Sequence, residues 1–471
     1  MKLYFKISIF ICVFAFKLNA QTYFNYNYEY NSAISNATAV IEINSGGGYL
    51  FPSCIYGSGY GSLLINRIDL NGDTLWTKEY KKNYYSFSTG ASNSLIYTYD
   101  SNYVFCGSII DTLNNRDALL VKLNLNGDTL WTKKYGGANF DNANIVCQTP
   151  DSGFVLMGVT QSFSMGSASD FYLIKTDKNG NFLWQQVYGT TLAEDCISGQ
   201  ITLDGGFVMS GIKNSLLYVL KTDASGGFEW DRQISGTAGT AFVKQLSDSS
   251  YILVGAKFVT GLSYQAYMAK LTKTGSVSWE KTFGGSGDQQ FYAIPIILND
   301  GSVVCSGINI NGAIPWGLLI KTDSLGNQQW LRTYYKDPTK DNYFYDVKST
   351  QDSGFIISGA GLVATADPWL VKVDSNGCEI ANCNVGINEF PISDSQLQVF
   401  PNPASNEINI LIEGENLSDY EISIINILGK AQKIEDYLNA ISISHLASGI
   451  YFITATSKNG KRKLSQKFIK E

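Results

Sequence analysis

A single histidine, His445, stands among 471 residues. Any mechanism that needs two histidines is therefore out of reach, which removes HExxH zinc proteases, histidine-rich metal sites and most zinc hydrolases. A pair of carboxylates can hydrolyse a glycoside without histidine. Asp170 and Asp367 are candidates for that role, although nothing in their spacing singles them out. Asp69-Leu70-Asn71-Gly72-Asp73 opens like a calcium loop, but Thr74 and Tyr80 stand where the later Gly and Glu belong. Phosphate-cradling GxxxxGK[ST] loops are absent, so no cofactor and no metal are expected. The remaining chemistry is aromatic. Thr333 to Tyr345 holds Tyr334, Tyr335, Tyr343, Phe344 and Tyr345 among Lys336, Asp337, Lys340 and Asp341. Trp316 and Trp369 each follow a proline, and Tyr80 to Tyr85 is a similar stretch with Lys81 and Lys82. Exposed rings beside polar groups suit sugar or protein surfaces, because they offer apolar area at little entropy cost. The competing role for each ring is packing against neighbouring strands.

Those loops must be held by something regular, and the chain is internally repetitive. A GxxxW motif recurs at Trp76, Trp131, Trp184, Trp230, Trp279 and Trp330. Between the copies lies an acidic turn followed by an apolar run ending in Gly, as in DSGFVLMG from Asp151 and DGGFVMSG from Asp204. The segment Gly46 to Ser53 is a degenerate first copy. An apolar strand with a basic residue precedes each GxxxW: Arg67, Lys122, Lys175, Lys221, Lys270, Lys321 and, before a copy that lacks its Trp, Lys372. Two residues later comes Asp, Asn or Thr, on the same face of the strand. Recurrence in every copy argues that these residues form a structural ion pair rather than a ligand site. Each unit of about 50 residues reads as four short strands, here a, b, c and d, with the Trp on d. Asn-Gly between c and d favours a tight hairpin turn. Four antiparallel strands repeated seven times predict a seven-bladed β-propeller. The Trp rings fill the wedge between neighbouring sheets.

The last copy lacks its d strand, and Thr22 to Tyr30 (TYFNYNYEY) alternates aromatic and polar residues. This N-terminal segment is expected to supply the missing outer strand and so remove an open sheet edge. Residues 1–20 read as a secretory signal peptide: Lys2 and Lys6 precede an apolar run from Ile7 to Phe16, too short to span a bilayer. No other membrane span is expected. Export permits disulfides, and of the seven remaining cysteines Cys378 and Cys383 are the best pair. Net charge is −6 with no basic block, which argues against a nucleic-acid partner.

Units of the type KxDxxGxxxWxxxYGG…DGGFxxxG look like secreted bacterial β-propeller repeats, over roughly residues 21–384. After a linker at 385–396, residues 397–471 read as a small β-sandwich. They closely resemble the C-terminal sorting domain of type IX secretion substrates. Phe400-Pro401-Asn402-Pro403-Ala404 matches its opening motif, Ile427-Leu428-Gly429-Lys430 its middle turn, and Ser448-Gly449-Ile450-Tyr451 with Lys467-Phe468-Ile469 its last strands. The resemblance implies handling by the type IX machinery, release or surface attachment, and loss of His445 with the cleaved tail. The expected function is a non-catalytic binding or adhesion module with a surface glycan or protein as ligand. The alternatives are a structural surface protein or a carboxylate-based, glycan-active enzyme.

Overall fold

The computed structural model describes residues 22–30, 35–43, 47–55, 61–81, 85–166, 168–285, 287–310, 313–362, 366–380, 397–412, 416–426, 431–434, 440–458 and 463–471. The expected signal peptide, the linker and Cys383 lie outside the described residues. The chain divides into two units, Met1–Cys383 and Asn384–Glu471.

The first unit is built almost wholly from antiparallel four-stranded sheets, the architecture of a β-propeller. One sheet shows the pattern: Asp141–Gln148, Phe154–Thr160, Asp170–Thr176 and Phe182–Tyr188 pair in chain order as a, b, c and d. Strands b and c are buried along their whole length because neighbouring sheets cover both faces. Continuous apolar runs such as FVLMGVT are what two covered faces require. Strand d has no fully buried residue and is the edge. The 18-residue strand Phe228–Gln245 serves two sheets. Its first part pairs with Leu216–Thr222 as a d strand, and its end pairs with Tyr251–Val259 as an a strand.

The last sheet is closed by the N-terminus. Phe24–Asn27 pairs with Ala366–Val373, so the d position is filled from the other end of the chain, as the aromatic alternation predicts. Phe24 sits opposite Lys372, the register in which Trp184 faces Lys175 and Trp330 faces Lys321.

The c–d connections differ from the tight Asn-Gly turn expected. Asp177 N–H bonds to the Asn181 carbonyl and Gly180 N–H to the Asp177 carbonyl, which makes a three-residue loop. Gly180 has φ 73° while Asn179 does not enter the positive region, and the strand register slips one residue beyond Lys175. This is a type I turn with a glycine bulge, the usual solution for three-residue hairpins.

The second unit has two sheets. One holds Leu397–Phe400, Glu407–Ile412 and Ile441–Ser442; the other holds Ala431–Ile434, Tyr420–Asn426, Gly449–Ser457 and Lys463–Lys470. Ile408, Ile422, Ile443, Ile453 and Phe468 are fully buried in its core. Asn402 explains the opening motif: its Oδ1 accepts the Ile469 N–H at 2.9 Å and its Nδ2 donates to the Lys467 carbonyl at 3.1 Å. Tyr451 stacks on Phe468. Gly429 lies outside the described residues.

Candidate functional site

Two repeated motifs turn out to be one structural device. The Lys of strand c does not pair with the acid two residues on. It reaches the Asp that opens the a–b turn: Lys122–Asp100 at 2.6 Å, Lys175–Asp151 at 2.9 Å, Lys221–Asp204 at 3.0 Å, Lys270–Asp248 at 3.2 Å and Lys372–Asp352 at 2.9 Å. The acid two residues on caps its own loop instead. Asp177 Oδ1 accepts the N–H groups of Asn179 and Asn181, both at 2.8 Å. Burial alone would raise the Asp151 carboxyl, but bonds from Thr149, Lys175 and the Gly153 N–H outweigh it and bring it down to about 2. Asp204 is held at about 2 by the matching set, Thr202, Lys221 and the Gly206 N–H. The tie is structural, as its recurrence indicates.

The Trp of strand d covers the glycine of the next sheet's c–d loop. A Cβ on Gly180 would lie 2.9 Å from two ring atoms of Trp131, and one on Gly127 would lie 2.6 Å from Trp76. Four residues after the Trp, a tyrosine hydroxyl closes the same contact. Tyr135 donates to the Gly180 carbonyl at 2.6 Å, Tyr188 to Gly226 at 2.5 Å and Tyr334 to Gly377 at 2.7 Å. At the closing junction Phe24 and Tyr26 pack on Gly72, and Tyr28 donates to its carbonyl at 2.8 Å. The N-terminal strand therefore reproduces the whole junction. The signal for the tyrosine was already in the repeat, where Tyr80, Tyr135, Tyr188 and Tyr334 all follow a Trp by four.

This removes two of the aromatic candidates from the surface. Tyr334 is buried as a junction tyrosine. Trp369 is 0% exposed, stacked on Phe344 with centroids 4.4 Å apart, and its Nε1 donates to Asn25 Oδ1 at 2.7 Å. Its proline-flanked position looked like a loop, but the N-terminal strand pairs over it, and that pairing is long-range.

The other four form two groups. Trp316 and Tyr335 pack together with centroids 5.3 Å apart. Trp316 is half-buried and donates from Nε1 towards the Pro338 carbonyl at 3.4 Å, while Tyr335 is 44% exposed. Lys336 beside them is pinned to the Asn25 carbonyl at 2.8 Å. Tyr343 and Tyr345 lie parallel, 6.2 Å apart, and Tyr292 comes within 6.3 Å of Tyr345. Burial, then the Asp341 carboxylate that accepts its hydroxyl, pushes the Tyr343 phenol up to about 12. Tyr292 was not singled out by the sequence.

The carboxylate candidates are not brought together. Asp170 and Asp367 open c strands of different sheets. The acid beside Asp170 is Glu194; burial first, and then Glu194, raises the Asp170 carboxyl. Both are fully buried, with Lys213 3.5 Å from Glu194. Asp117 is tied to Lys134 at 2.5 Å. Cys378 is disulfide-bonded. Cys54, Cys106, Cys147, Cys196 and Cys305 are in no disulfide. His445 is exposed in the second unit, 3.3 Å from Gln432.

The inner strands meet around a buried plug that the repeat pattern did not announce. Ala91 N–H bonds to the Asn144 carbonyl and Val146 N–H to the Asn93 carbonyl, so Gly90–Ser94 reaches a neighbouring sheet. Ser92 Oγ donates to Asp346 Oδ1 at 2.5 Å and accepts the Ile294 N–H at 3.5 Å, reaching two more. Asp346 also accepts the Val40 N–H at 3.1 Å and Lys348 Nζ at 2.6 Å. The spacing from Trp76 to Trp131 is the widest of the Trp intervals, and it contains this segment.

Residues 398–471 match the family described as the secretion system C-terminal sorting domain. The chain is thus exported by type IX secretion and is attached to or released from the outer cell surface. Among the described residues no helix is long and apolar enough to cross a membrane. No curated protein matches the chain. Similar solved structures include PorZ, described as an essential bacterial surface component of the type IX secretion system of Porphyromonas gingivalis. It is 10% identical, with 93% of this chain and 75% of that one covered and a TM-score of 0.34. The β-propeller domain of the Trilobed protease from Pyrococcus furiosus is 9% identical, covering 74% and 97%, at 0.40. Sqt1 from Chaetomium thermophilum is 11% identical, covering 71% and 82%, at 0.44.

Proposed function

We propose that this exported propeller has seven blades and is a non-catalytic binding or adhesion module, with its ligand a surface glycan or a protein. The observation that carries this reading is the Trp316–Tyr335 pair. Repeated rings in this fold are absorbed into junctions, whereas Tyr335 keeps 44% of its surface exposed beside a second ring and charged groups. A ring pair with one face open and polar neighbours fixed by backbone bonds is preorganised, so little side-chain freedom is lost on contact. The parallel, half-buried Tyr343 and Tyr345 rings lie on the strand Asn342–Ser349 that follows the same connection. The test is a binding screen of the full chain against polysaccharides and outer-surface polymers. Saturable binding that Trp316→Ala and Tyr335→Ala each weaken at least tenfold supports the reading; such a loss corresponds to roughly 1.4 kcal/mol. Binding that survives both substitutions moves the ligand elsewhere. No binding by a folded chain favours a structural coat role.

A further inference from the structure

One junction of the first unit departs from the repeat. Elsewhere, the fourth residue after the ring that covers a c–d glycine is itself aromatic: Tyr28, Tyr80, Tyr135, Tyr188, Phe283 and Tyr334. Between the two sheets that share the strand Phe228–Gln245, Trp230 still covers Gly275, but the fourth residue on is Ile234. An isoleucine has no ring to lay across the loop and no hydroxyl to give. Arg232, two residues nearer, takes over the bond, and its Nε donates to the Gly275 carbonyl at 2.9 Å.

Where the ring is missing there is a cleft of about 380 Å³, lined by both strands of the junction. Small-molecule sites run from roughly 300 to 1,000 Å³. Ile234, which is buried, and Val277, 43% exposed, give the cleft apolar surface. Ser235 and Ser276 are exposed in it and bring hydroxyl groups. Its two charges differ in how they are answered. Glu280 Oε2 accepts the Tyr267 hydroxyl at 2.7 Å and lies 3.4 Å from Lys257 Nζ. Arg232 is half-buried, and beyond its Nε bond its Nη groups make no hydrogen bond and meet no carboxylate among the described residues. A guanidinium fork partly removed from water and left unfilled is matched by the two oxygens of a carboxylate. One unanswered positive charge beside Glu280 suits a monoanion, because the second charge of a phosphate would face that carboxylate.

We infer that this cleft binds a small hydroxylated carboxylate, the size and chemistry of one uronic acid sugar. The carboxylate takes the Arg232 fork, the hydroxyl groups meet Ser235 and Ser276, and the carbon face lies against Ile234 and Val277. The experiment is calorimetric titration of the full chain with methyl glucuronide, methyl glucoside and sodium acetate at matched ionic strength. Saturable binding of the glucuronide is expected. It should be at least tenfold tighter than that of the glucoside, which lacks the carboxylate, or of acetate, which lacks the hydroxyl groups. Arg232→Lys keeps the charge without the fork and should weaken glucuronide binding at least tenfold. Ile234→Tyr restores the ring found at the other junctions. It should abolish binding while keeping or raising the midpoint of the thermal transition, which separates loss of the site from loss of the fold. Trp316 belongs to a different sheet, so Trp316→Ala should leave glucuronide binding unchanged. Four results overturn the inference: no saturable glucuronide binding, equal binding of the glucoside or acetate, binding untouched by Arg232→Lys and Ile234→Tyr, or binding lost in Trp316→Ala.

Discussion

The rim and the axis of the propeller obey opposite rules. At the rim every junction is a copy. A ring from one sheet sits on a c–d glycine of the next, and at five of the junctions a tyrosine four residues along donates to that glycine's carbonyl. Even the junction made by the N-terminal strand conforms, with Phe24 in the Trp position. On the inner strands the equivalent positions are Ile41, Ile96, Cys147, Gln200, Lys244, Ile296 and Lys348, a mixture of three isoleucines, two lysines, a cysteine and a glutamine. A contact that must be made at every junction is constrained the same way each time. A contact made once, at the centre, is free to differ. The aromatic candidates sort by the same rule: Tyr334 fell to the repeated junction, and Trp316 with Tyr335 belongs to none.

The comparison can be broken most severely at closure. Deleting residues 22–30 removes the outer strand and one complete junction, so the cooperative thermal transition of the first unit is expected to vanish. Its retention in calorimetry would show that the closing junction is dispensable. Next comes Trp131→Ala, which strips the ring from Gly180 and from the edge of Phe154; a loss of about 2–4 kcal/mol is expected in urea unfolding, below a fully buried Trp because this one is half-exposed. Tyr135→Phe leaves the Gly180 carbonyl unpaired and should cost about 1–2 kcal/mol. Tyr335→Phe, off the junction, should leave the urea midpoint unchanged.

The acidic turns sharpen the same contrast through pH. Asp151 and Asp204 are held at about 2 in the folded chain, below an unfolded value near 4. A depressed carboxyl stabilises above its unfolded pKa, and that contribution fades as pH falls from about 4 to about 2. Urea midpoints should therefore drop across that window, and Asp151→Asn should flatten part of the drop. The effect per turn is modest because these side chains are more than half exposed. The smallest effect is expected at the axis. Lys244→Met should leave stability unchanged or slightly raised, since burial disfavours its charge and among the described residues no ion pair includes it. A large loss there would place Lys244 among the structural residues.

Much of the scaffold is legible in the residues themselves. Periods of 46 to 55 residues between Trp positions, apolar b and c strands, and Gly after a polar turn follow from local geometry. So does the alternation that marks Thr22 to Tyr30 as a strand. The sorting domain is legible because four short motifs keep their order. The lysine's true partner was less accessible. The acid two residues on shares its face, but the Asp across the b–c pair is nearer in space, and strand register rather than sequence distance decides that. The glycine bulge likewise depends on which hydrogen bonds close the loop, because Asn-Gly fits both two- and three-residue turns.

By itself the sequence determined the strands, their order, the exported route and the ring's need for an N-terminal closing strand, because these rest on periodicity and on motifs a few residues long. Only the tertiary structure decided which aromatic rings face solvent, that Gly90–Ser94 crosses to distant sheets, and that Ser92 and Lys348 both meet the buried Asp346. These are outcomes of closing a chain into a ring. Residues remote in sequence meet at the centre, and no local pattern carries the information about what they meet.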